Sequence, residues 1–169
     1  MRLPISVANM ANVATKKPAD LRNEAMSSLT MREQLESYVL AKYQVVAEQL
    51  PFSHEDYAIF RHKDSGRWFA VFIVKPRSVL GLEGDGDAEI VSLKIPDPIL
   101  TDLLTQQPGY LKGYPSVKWN WVSVVLDGTV PFEDICRWID ESYRATQTKT
   151  RNQKVPLAQR NEALKEHRG

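Results

Sequence analysis

The hydrophobic pattern of the first third of the chain predicts a helix that begins at a strong capping signal. Thr30 is followed three residues later by Glu33, which is the spacing of a capping box, where each side chain satisfies a free backbone amide of the other residue. Apolar residues then recur on one helical face, and Pro51 limits the helix. We therefore expect a helix from Thr30 to about residue 49.

Two apolar segments after this helix predict a β-hairpin. Residues 57–62 and 67–75 are rich in β-branched and aromatic side chains, and a Lys-Asp-Ser-Gly turn at 63–66 separates them. Both alternating sets of positions in the second segment are apolar, as is typical of a central strand that is covered on both faces. We expect these two strands to pair.

The remaining pattern predicts two more strands and two more helices. A third strand is expected at about 89–95, and Asp97 before Pro98 marks the start of a second helix, because a carboxylate caps free amides and proline fits the first turn. A fourth strand is expected at 121–126, and a last helix begins near Pro131. The predicted order is α-β-β-β-α-β-α, a compact α+β domain in which an antiparallel sheet packs against helices in two layers.

Composition divides the chain into a central domain and two flanks. Residues 1–29 and 148–169 are polar and lack a sustained apolar period, so we expect the first to be a disordered extension and the second a poorly ordered basic tail. Residues 30–147 are expected to fold around one hydrophobic core. The longest apolar run, Trp68 to Val74, covers seven residues, which is too short for a membrane span and excludes a membrane partner.

The net charge of +1 conceals an uneven distribution along the chain. Residues 31–143 contain 11 basic and 17 acidic side chains, whereas residues 144–169 contain seven basic and two acidic ones. The expected domain is therefore mildly acidic, and the excess of positive charge lies in the flanks. This distribution does not favour a uniformly basic nucleic-acid-binding domain.

The sequence contains a single cysteine, Cys136. It excludes an internal disulfide and any site with several thiolate ligands, and it agrees with a reducing environment. Cys136 shares a helical face with Ile135 and Ile139, which predicts a buried core thiol rather than a nucleophile. Because no convincing export signal precedes the domain either, we expect a cytoplasmic protein.

Signatures of catalysis and of metal binding are weak or absent in the sequence. There is no phosphate-binding loop, dinucleotide fingerprint, zinc-protease motif or Cys-x-x-Cys pair. Asp85, Asp87 and Glu89 alternate like the first ligands of an EF-hand, but Ile90 occupies the position that requires glycine. The cluster at 54–56 is also a poor metal site, since adjacent residues of an extended chain point in opposite directions. We expect no enzyme, no metal and no cofactor.

Two segments carry residue types that bind nucleic acids. Arg61, His62, Lys63 and Arg67 surround the tip of the predicted hairpin, as in a basic DNA-binding wing, although cations at such tips also keep sheet edges soluble. The second segment combines cations, an amide and aromatic rings that can stack on bases or on a planar ligand: Lys112, Tyr114, Lys118, Trp119, Asn120 and Trp121. Alternatively, the two tryptophans belong to the core.

The order and spacing of several residues resemble the MmcQ/YjbR family. They are Pro108, Tyr114, Lys118, Trp121, the Leu126-Asp127-Gly128 turn and the Ser142-Tyr143 pair, and the similarity covers residues 31–147. The resemblance implies a fold similar to CyaY and frataxin and a double-wing DNA-binding protein. The wings would be the hairpin around Lys63 and the segment from Lys112 to Lys118. The chain departs from the family at residues 118–121, where it reads Lys-Trp-Asn-Trp and many members read Lys-Lys-His-Trp.

Two functional hypotheses follow from these residues. The first is a non-catalytic DNA-binding or regulatory protein whose two basic segments contact phosphates. The alternative is a protein- or small-ligand-binding module that uses the aromatic residues Tyr114, Trp119 and Trp121 without nucleic acid.

Overall fold

The computed structural model describes residues 17–19, 22, 27–49, 57–114 and 120–147. From residue 31 onward, the described part of the chain forms three helices and six strands. They are α1 (Met31–Tyr43), β1 (Glu48–Gln49), β2 (Ala58–Arg61), β3 (Trp68–Pro76), β4 (Asp87–Lys94), α2 (Pro98–Leu104), β5 (Tyr110–Lys112), β6 (Trp121–Val125) and α3 (Phe132–Thr146). The α+β class is confirmed, whereas the predicted element order lacked β1 and β5.

The six strands form one antiparallel sheet in the order β1-β2-β3-β4-β6-β5. The predicted pairing of the two hairpin strands is confirmed by the register of β2 against β3, in which Ala58 lies opposite Phe72. β3 has a neighbour on each side, and residues 69–73 within it are buried. The apolar character of both faces of β3 therefore predicted its central position correctly.

Helix α1 begins where the sequence predicted and ends earlier than expected. The Thr30 hydroxyl accepts a hydrogen bond from the Glu33 amide at 3.2 Å, and the Glu33 carboxylate accepts one from the Thr30 amide at 2.7 Å. The predicted end near residue 49 is wrong, because Gln44 adopts a left-handed conformation with φ 56° and ends the helix. The chain then turns so that Val45 enters the core and residues 48–49 pair with β2 as the edge strand β1.

All three described helices pack against one face of the sheet. Residues from both layers form the main core, including Leu35, Val39, Phe60, Phe72, Leu93, Val122, Ile135 and Ile139. Ser142 connects α3 to β3 and β4. Its hydroxyl accepts a hydrogen bond from the Lys94 amide and donates one to the Phe69 carbonyl. Cys136 is buried in this core with 6% of its surface exposed, as the helical periodicity predicted.

A second, smaller core lies on the opposite face of the sheet. It consists of Ile59, Val71, Ile73, Ile90 and Val125, and the partly buried Leu80 and Leu82 pack against it from the loop at 77–86. Backbone hydrogen bonds from Arg77 to Gly86 at 2.9 Å and from Leu82 to Arg77 at 2.9 Å shape this glycine-rich loop. The loop thus covers part of the face that carries no described helix.

The predicted flanks fall mostly outside the described residues. Of residues 1–29 only 17–19, 22 and 27–29 are described, and the predicted tail at 148–169 is not described. Among the described helices none has the length and hydropathy needed to cross a bilayer.

Candidate nucleic-acid interface

The first basic loop is the turn at 62–67 that joins β2 to β3. Two backbone hydrogen bonds close it, from the His62 amide to the Arg67 carbonyl and from the Gly66 amide to the His62 carbonyl, each 2.9 Å long. Gly66 has φ 67°, a left-handed conformation that suits glycine. The side chains of Lys63 and Arg67 are exposed. Among the described residues, neither cation has an ion-pair partner, so both can contact phosphates.

His62 differs from the three other predicted tip residues. Only 2% of its surface is exposed, and its ring lies against Phe69 and Tyr143. Burial lowers the pKa of the imidazole, with smaller opposing effects from Asp64 and from the Tyr143 carbonyl. The expectation that His62 adds positive charge to the surface of the tip is therefore wrong. This histidine is part of the packing beneath the loop.

A β-bulge at the base of this hairpin exposes an aromatic ring beside an arginine. Phe60 pairs with Ala70 while Arg61 pairs with Trp68, so Phe69 is the additional residue on β3. Trp68 is 39% exposed, and the Arg61 guanidinium lies 5.6 Å from the centroid of its ring. The Arg61 Nε atom also lies 3.2 Å from a Glu48 carboxylate oxygen, an ion pair without hydrogen-bond geometry, since Nε has no hydrogen-bond partner among the described residues. Arg61 is thus held in place, and Trp68 offers a stacking surface next to it.

Trp68 was missed as a candidate because its sequence context is that of a core strand. The alternation of β3 assigns it to an apolar row together with Ala70 and Phe72. The bulge interrupts that alternation at Phe69, and a single sequence contains no clear signal for such a register shift.

The second basic segment starts at the end of β5. Lys112 is exposed, and no described residue forms an ion pair with it. Gly113 follows in a position without room for a side chain, since an added Cβ would lie 2.4 Å from the Trp121 carbonyl oxygen. Lys118 and Trp119 belong to residues 115–119, which lie outside the described part of the chain. Asn120 re-enters it with φ 55°, and its carbonyl accepts a hydrogen bond from the Ile95 amide at 2.8 Å.

Two buried serines hold the start of this segment. The Tyr114 amide donates to the Ser123 hydroxyl at 3.0 Å, and the Ser92 hydroxyl donates to the Tyr114 carbonyl at 2.7 Å. The two hydroxyls are 2.7 Å apart. The Ser92 hydroxyl donates its one proton to the Tyr114 carbonyl, so the Ser123 hydroxyl is the donor in the bond between the two serines. The two hydroxyls and the backbone amide and carbonyl of Tyr114 thus form a closed ring of hydrogen bonds. The backbone of Tyr114 is therefore fixed to β4 and β6.

The sequence predicted four residues of this segment as ligand-binding or base-stacking candidates: Tyr114, Trp119, Asn120 and Trp121. Tyr114 and Trp121 are half-buried against the second core. The Lys75 ammonium lies 5.7 Å from the Tyr114 ring and 5.6 Å from the Tyr57 ring, and Lys75 is 7% exposed. Part of each candidate ring therefore contributes to packing. Trp121 retains an exposed part at the start of β6, beside Asn120 and Lys112.

The register of the sheet brings both basic segments to the same end. Phe60 pairs with Ala70, Ala70 with Leu93, Leu93 with Val122 and Val122 with Lys112, so these residues form one row across five strands. The 62–67 loop and the 113–120 segment both begin just beyond this row. We call this the basic end, and its described cations are Arg61, Lys63, Arg67, Lys94 and Lys112. Carboxylates lie at this end too: Glu48 is paired with Arg61, Asp64 is in the loop, Asp97 caps α2 just after β4, and Asp102 lines a pocket with Lys112.

Exposed acids lie at the other end of the sheet. β3 finishes there at Pro76, opposite Asp87 at the start of β4, and β6 runs into the turn that contains Asp127. We call this the acidic end, and its exposed carboxylates are Glu83, Asp85, Asp87 and Asp127. The described residues contain no cluster of three side chains able to hold a metal ion. The predicted polar cluster at 54–56 is not described.

Comparison with known proteins agrees with this architecture. The YjbR family model matches residues 40–145. The chain belongs to the YjbR family. It is also 31% identical over 115 residues to the uncharacterized protein YyaQ of Bacillus subtilis (strain 168), in an alignment that covers 68% of this chain and 97% of YyaQ. The resemblance seen in the sequence is thereby confirmed.

Solved structures extend the similarity to the fold. A crystal structure of a Pseudomonas syringae protein matches this YjbR-family chain with a TM-score of 0.64 and 31% identity, covering 69% of this chain and 98% of that one. A solution NMR structure from Pseudomonas syringae gives a TM-score of 0.63 and 28% identity, covering 73% and 98%. A DUF419-domain protein of Deinococcus radiodurans gives a TM-score of 0.51 and 24% identity, covering 77% and 85%, and supports the fold alone.

Proposed function

We propose that this YjbR-family protein is a non-catalytic, cytoplasmic protein that binds the backbone of duplex DNA through the basic end of its sheet. We also propose that its fold is related to that of CyaY and frataxin, as the sequence resemblance implies. The observation that supports DNA binding most strongly is the meeting of two separate basic segments at one end of a rigid antiparallel sheet.

The spacing of the two basic segments suits contact with two stretches of DNA backbone. β2 and β5 are separated by four strand intervals. At about 4.8 Å for each interval, the ends of β2 and β5 lie roughly 19 Å apart. This distance exceeds the width of the major groove, which is about 12 Å. The two loops would therefore contact the phosphates on both sides of a groove.

The distance between the two ends of the sheet reduces the objection raised by the acidic composition of the domain. β3 contains nine residues. At about 3.3 Å per residue it places the acidic end nearly 30 Å from the basic end. The Debye length at physiological ionic strength is about 8 Å, so the carboxylates at the far end do not cancel the field of the cations. Binding therefore depends on the local balance between Lys63, Arg67 and Lys112, which form no ion pair within the described residues, and the nearby Asp64, Asp97 and Asp102.

The exposed cations support backbone recognition rather than base readout. Lys63, Arg67 and Lys112 lie on a loop or at a strand end, so none of them is carried by a helix that could enter a groove. Contacts from such side chains to phosphates fix position on the duplex and carry little sequence information. We therefore propose binding with weak sequence preference and strong salt dependence.

The chemistry of the described nucleophiles supports a non-catalytic role. Burial is the largest cause that raises the pKa of the Cys136 thiol to about 12, and Asp140 and Glu133 raise it further. The thiolate is thus scarcely populated at neutral pH. His62 is packed beneath the first loop with its Nε2 atom engaged by Thr146.

The decisive experiment is fluorescence anisotropy of a labelled duplex with the full chain over a salt series. Each of Lys63→Gln, Arg67→Gln and Lys112→Gln should weaken binding, and the slope of log K against log salt should decrease in magnitude by about 0.9 for each phosphate that the variant no longer neutralises. Arg137→Gln is the control for loss of one positive charge, because it removes an exposed charge, ion-paired with Asp134, from α3 away from the two basic segments.

Two outcomes would contradict the proposal. One is undetectable binding of the unmodified chain at low salt. The other is a triple variant that binds like the unmodified chain while deletion of residues 148–169 abolishes binding, which would assign the contact to the basic tail. In the first case the protein- or ligand-binding hypothesis becomes the leading one, and the partial exposure of Tyr114 and Trp121 is the observation that favours it.

A further inference from the structure

The hairpin tip of the basic end is attached to the last turn of α3 through one buried side chain. His62 lies between Arg61 and Lys63, and the turn residues 63–67 are all exposed. Its own surface is 2% exposed. A buried residue within an otherwise exposed turn restricts how that turn can move relative to the rest of the domain.

The attachment has a defined hydrogen-bond geometry. His62 Nε2 lies 2.7 Å from the Thr146 hydroxyl oxygen, which in turn lies 2.7 Å from the Ser142 carbonyl. A hydroxyl has one proton, and when Thr146 donates it to Ser142 the oxygen accepts from the imidazole. The protonated nitrogen of a neutral His62 is then Nε2. The ring is also packed at 4.3 Å from the Tyr143 ring and 5.1 Å from the Phe69 ring, centroid to centroid.

The one acidic group of this tip is turned toward its own backbone. The Asp64 carboxylate accepts a hydrogen bond from the Ser65 amide at 2.8 Å. Lys63 and Arg67 lie on the two sides of that turn, and the backbone pair between His62 and Arg67 fixes their separation. The backbone of both cations therefore moves with the turn, and the contact of His62 with Thr146 ties that turn to α3.

We propose that His62 and Thr146 are positioning residues for DNA binding, which fix the tip so that Lys63 and Arg67 reach the phosphates together. This inference rests on the proposed function. Neither residue touches DNA in this arrangement, and both act by ordering the loop before binding. A loop that is ordered in advance loses less conformational freedom when the complex forms.

The test compares two substitutions at Thr146 in the full chain. Thr146→Val removes the hydroxyl at constant shape, and Thr146→Ser restores it. Thr146→Val should weaken duplex binding about fivefold, and the salt slope should shrink by about one phosphate contact, while Thr146→Ser recovers most of the affinity. Thr129→Val, in the turn at the acidic end, is the control and should bind like the unmodified chain.

A second variant keeps the proposal testable if Thr146→Val does not fold. His62→Phe fills the same aromatic site without a hydrogen bond and should show the same reduction of affinity and slope. Folding of each variant is checked by thermal unfolding, and hydrogen exchange of the Gly66 amide reports the order of the tip. Faster exchange at Gly66 together with weaker binding is the expected pair of results.

The outcomes separate this inference from the proposed function. If the unmodified chain binds duplex DNA and a folded Thr146→Val or His62→Phe variant binds with the same affinity and slope, the positioning role is overturned and the DNA-binding function stands. If the unmodified chain does not bind DNA at low salt, the proposed function is overturned and this role is overturned with it.

Discussion

The carboxylate of Asp140 joins α1 to α3, and its removal provides a quantitative test of the structure. It accepts hydrogen bonds from the Tyr38 hydroxyl at 2.9 Å, the Tyr43 hydroxyl at 2.5 Å and the Lys42 ammonium at 2.6 Å. The side chain is 17% exposed. Two aromatic hydroxyls and a cation from one helix thus converge on a single acceptor of the other.

The decrease in stability can be estimated from these contacts. A hydrogen bond to a charged group contributes about 1.5 kcal/mol at the low end of its range, and Asp140→Asn keeps one oxygen as an acceptor. We therefore expect Asp140→Asn to lower the free energy of unfolding by about 2 kcal/mol, most of it from the weakened hydrogen bonds with Tyr38 and Tyr43. Lys42 is exposed and adds little because water screens its charge. With a urea dependence of about 1.5 kcal/mol per molar, the unfolding midpoint should fall by more than 1 M.

The pH dependence of folding stability provides an independent check of the contacts of Asp140. Partial burial alone would raise the pKa of Asp140, but the hydrogen bonds from Lys42, Tyr43 and Tyr38 outweigh it and lower the pKa. The stabilisation is therefore complete above the unfolded carboxyl pKa of about 3.9 and is lost as the pH falls through the lower folded value. The difference between the unmodified chain and Asp140→Asn should shrink as the pH is lowered from 7 toward 3.

Urea denaturation followed by circular dichroism measures both effects. Glu141→Gln is the matched control, because Glu141 forms an exposed ion pair with Arg144 on the same helix. Its replacement should lower the free energy of unfolding by less than about 0.5 kcal/mol. A double-mutant cycle with Tyr43→Phe should give a coupling energy above about 0.5 kcal/mol. An Asp140→Asn variant as stable as the control at pH 7, or a difference that does not change with pH, would refute this account of the helix pair.

Three further outcomes are expected from single residues. Because the pKa of His62 is lowered in the folded state, the unfolded chain binds a proton at a higher pH than the folded chain does. The free energy of unfolding should therefore decrease as the pH falls below about 6.5. In urea titrations, His62→Gln should lack this pH-dependent loss of stability. Gly113→Ala should destabilise the domain by about 1–3 kcal/mol in thermal unfolding, because the new Cβ would lie 2.4 Å from the Trp121 carbonyl oxygen; an unchanged midpoint would contradict that contact. Cys136 should react with a thiol reagent only at the rate of unfolding, and fast labelling of the folded chain would show that the thiol is accessible.

Local signals in the sequence predicted much of the fold. The capping box at Thr30, the two-sided apolar pattern of β3 and the Asp97-Pro98 helix start each depend on neighbouring residues, and each is found in the structure. The end of α1 at Tyr43 was not predictable in this way. The left-handed turn at Gln44 is stabilised by the return of the chain along β2, a contact with residues 58–59.

The candidate site was predictable as two segments but not as one surface. Lys63 and Lys112 were identified by residue type, and their common location follows from the pairing of β4 with β6, which is a long-range contact. β5 was missed because its three residues are too few to show an alternating pattern, and glycines flank them on both sides. Burial of His62 depends on the last turn of α3, where Thr146 lies 84 residues away in the sequence.

The two borders of the sheet are very short, and this has a consequence for self-association. The outer strands β1 and β5 contain two and three residues, whereas β3 and β4 in the interior contain nine and eight. A border strand offers unpaired amides and carbonyls to any other extended chain, and its length sets how many bonds can form. Within the described strands, few such bonds are available at either border. The long, strongly apolar strands of this fold are thereby shielded from the edge-to-edge pairing that begins aggregation.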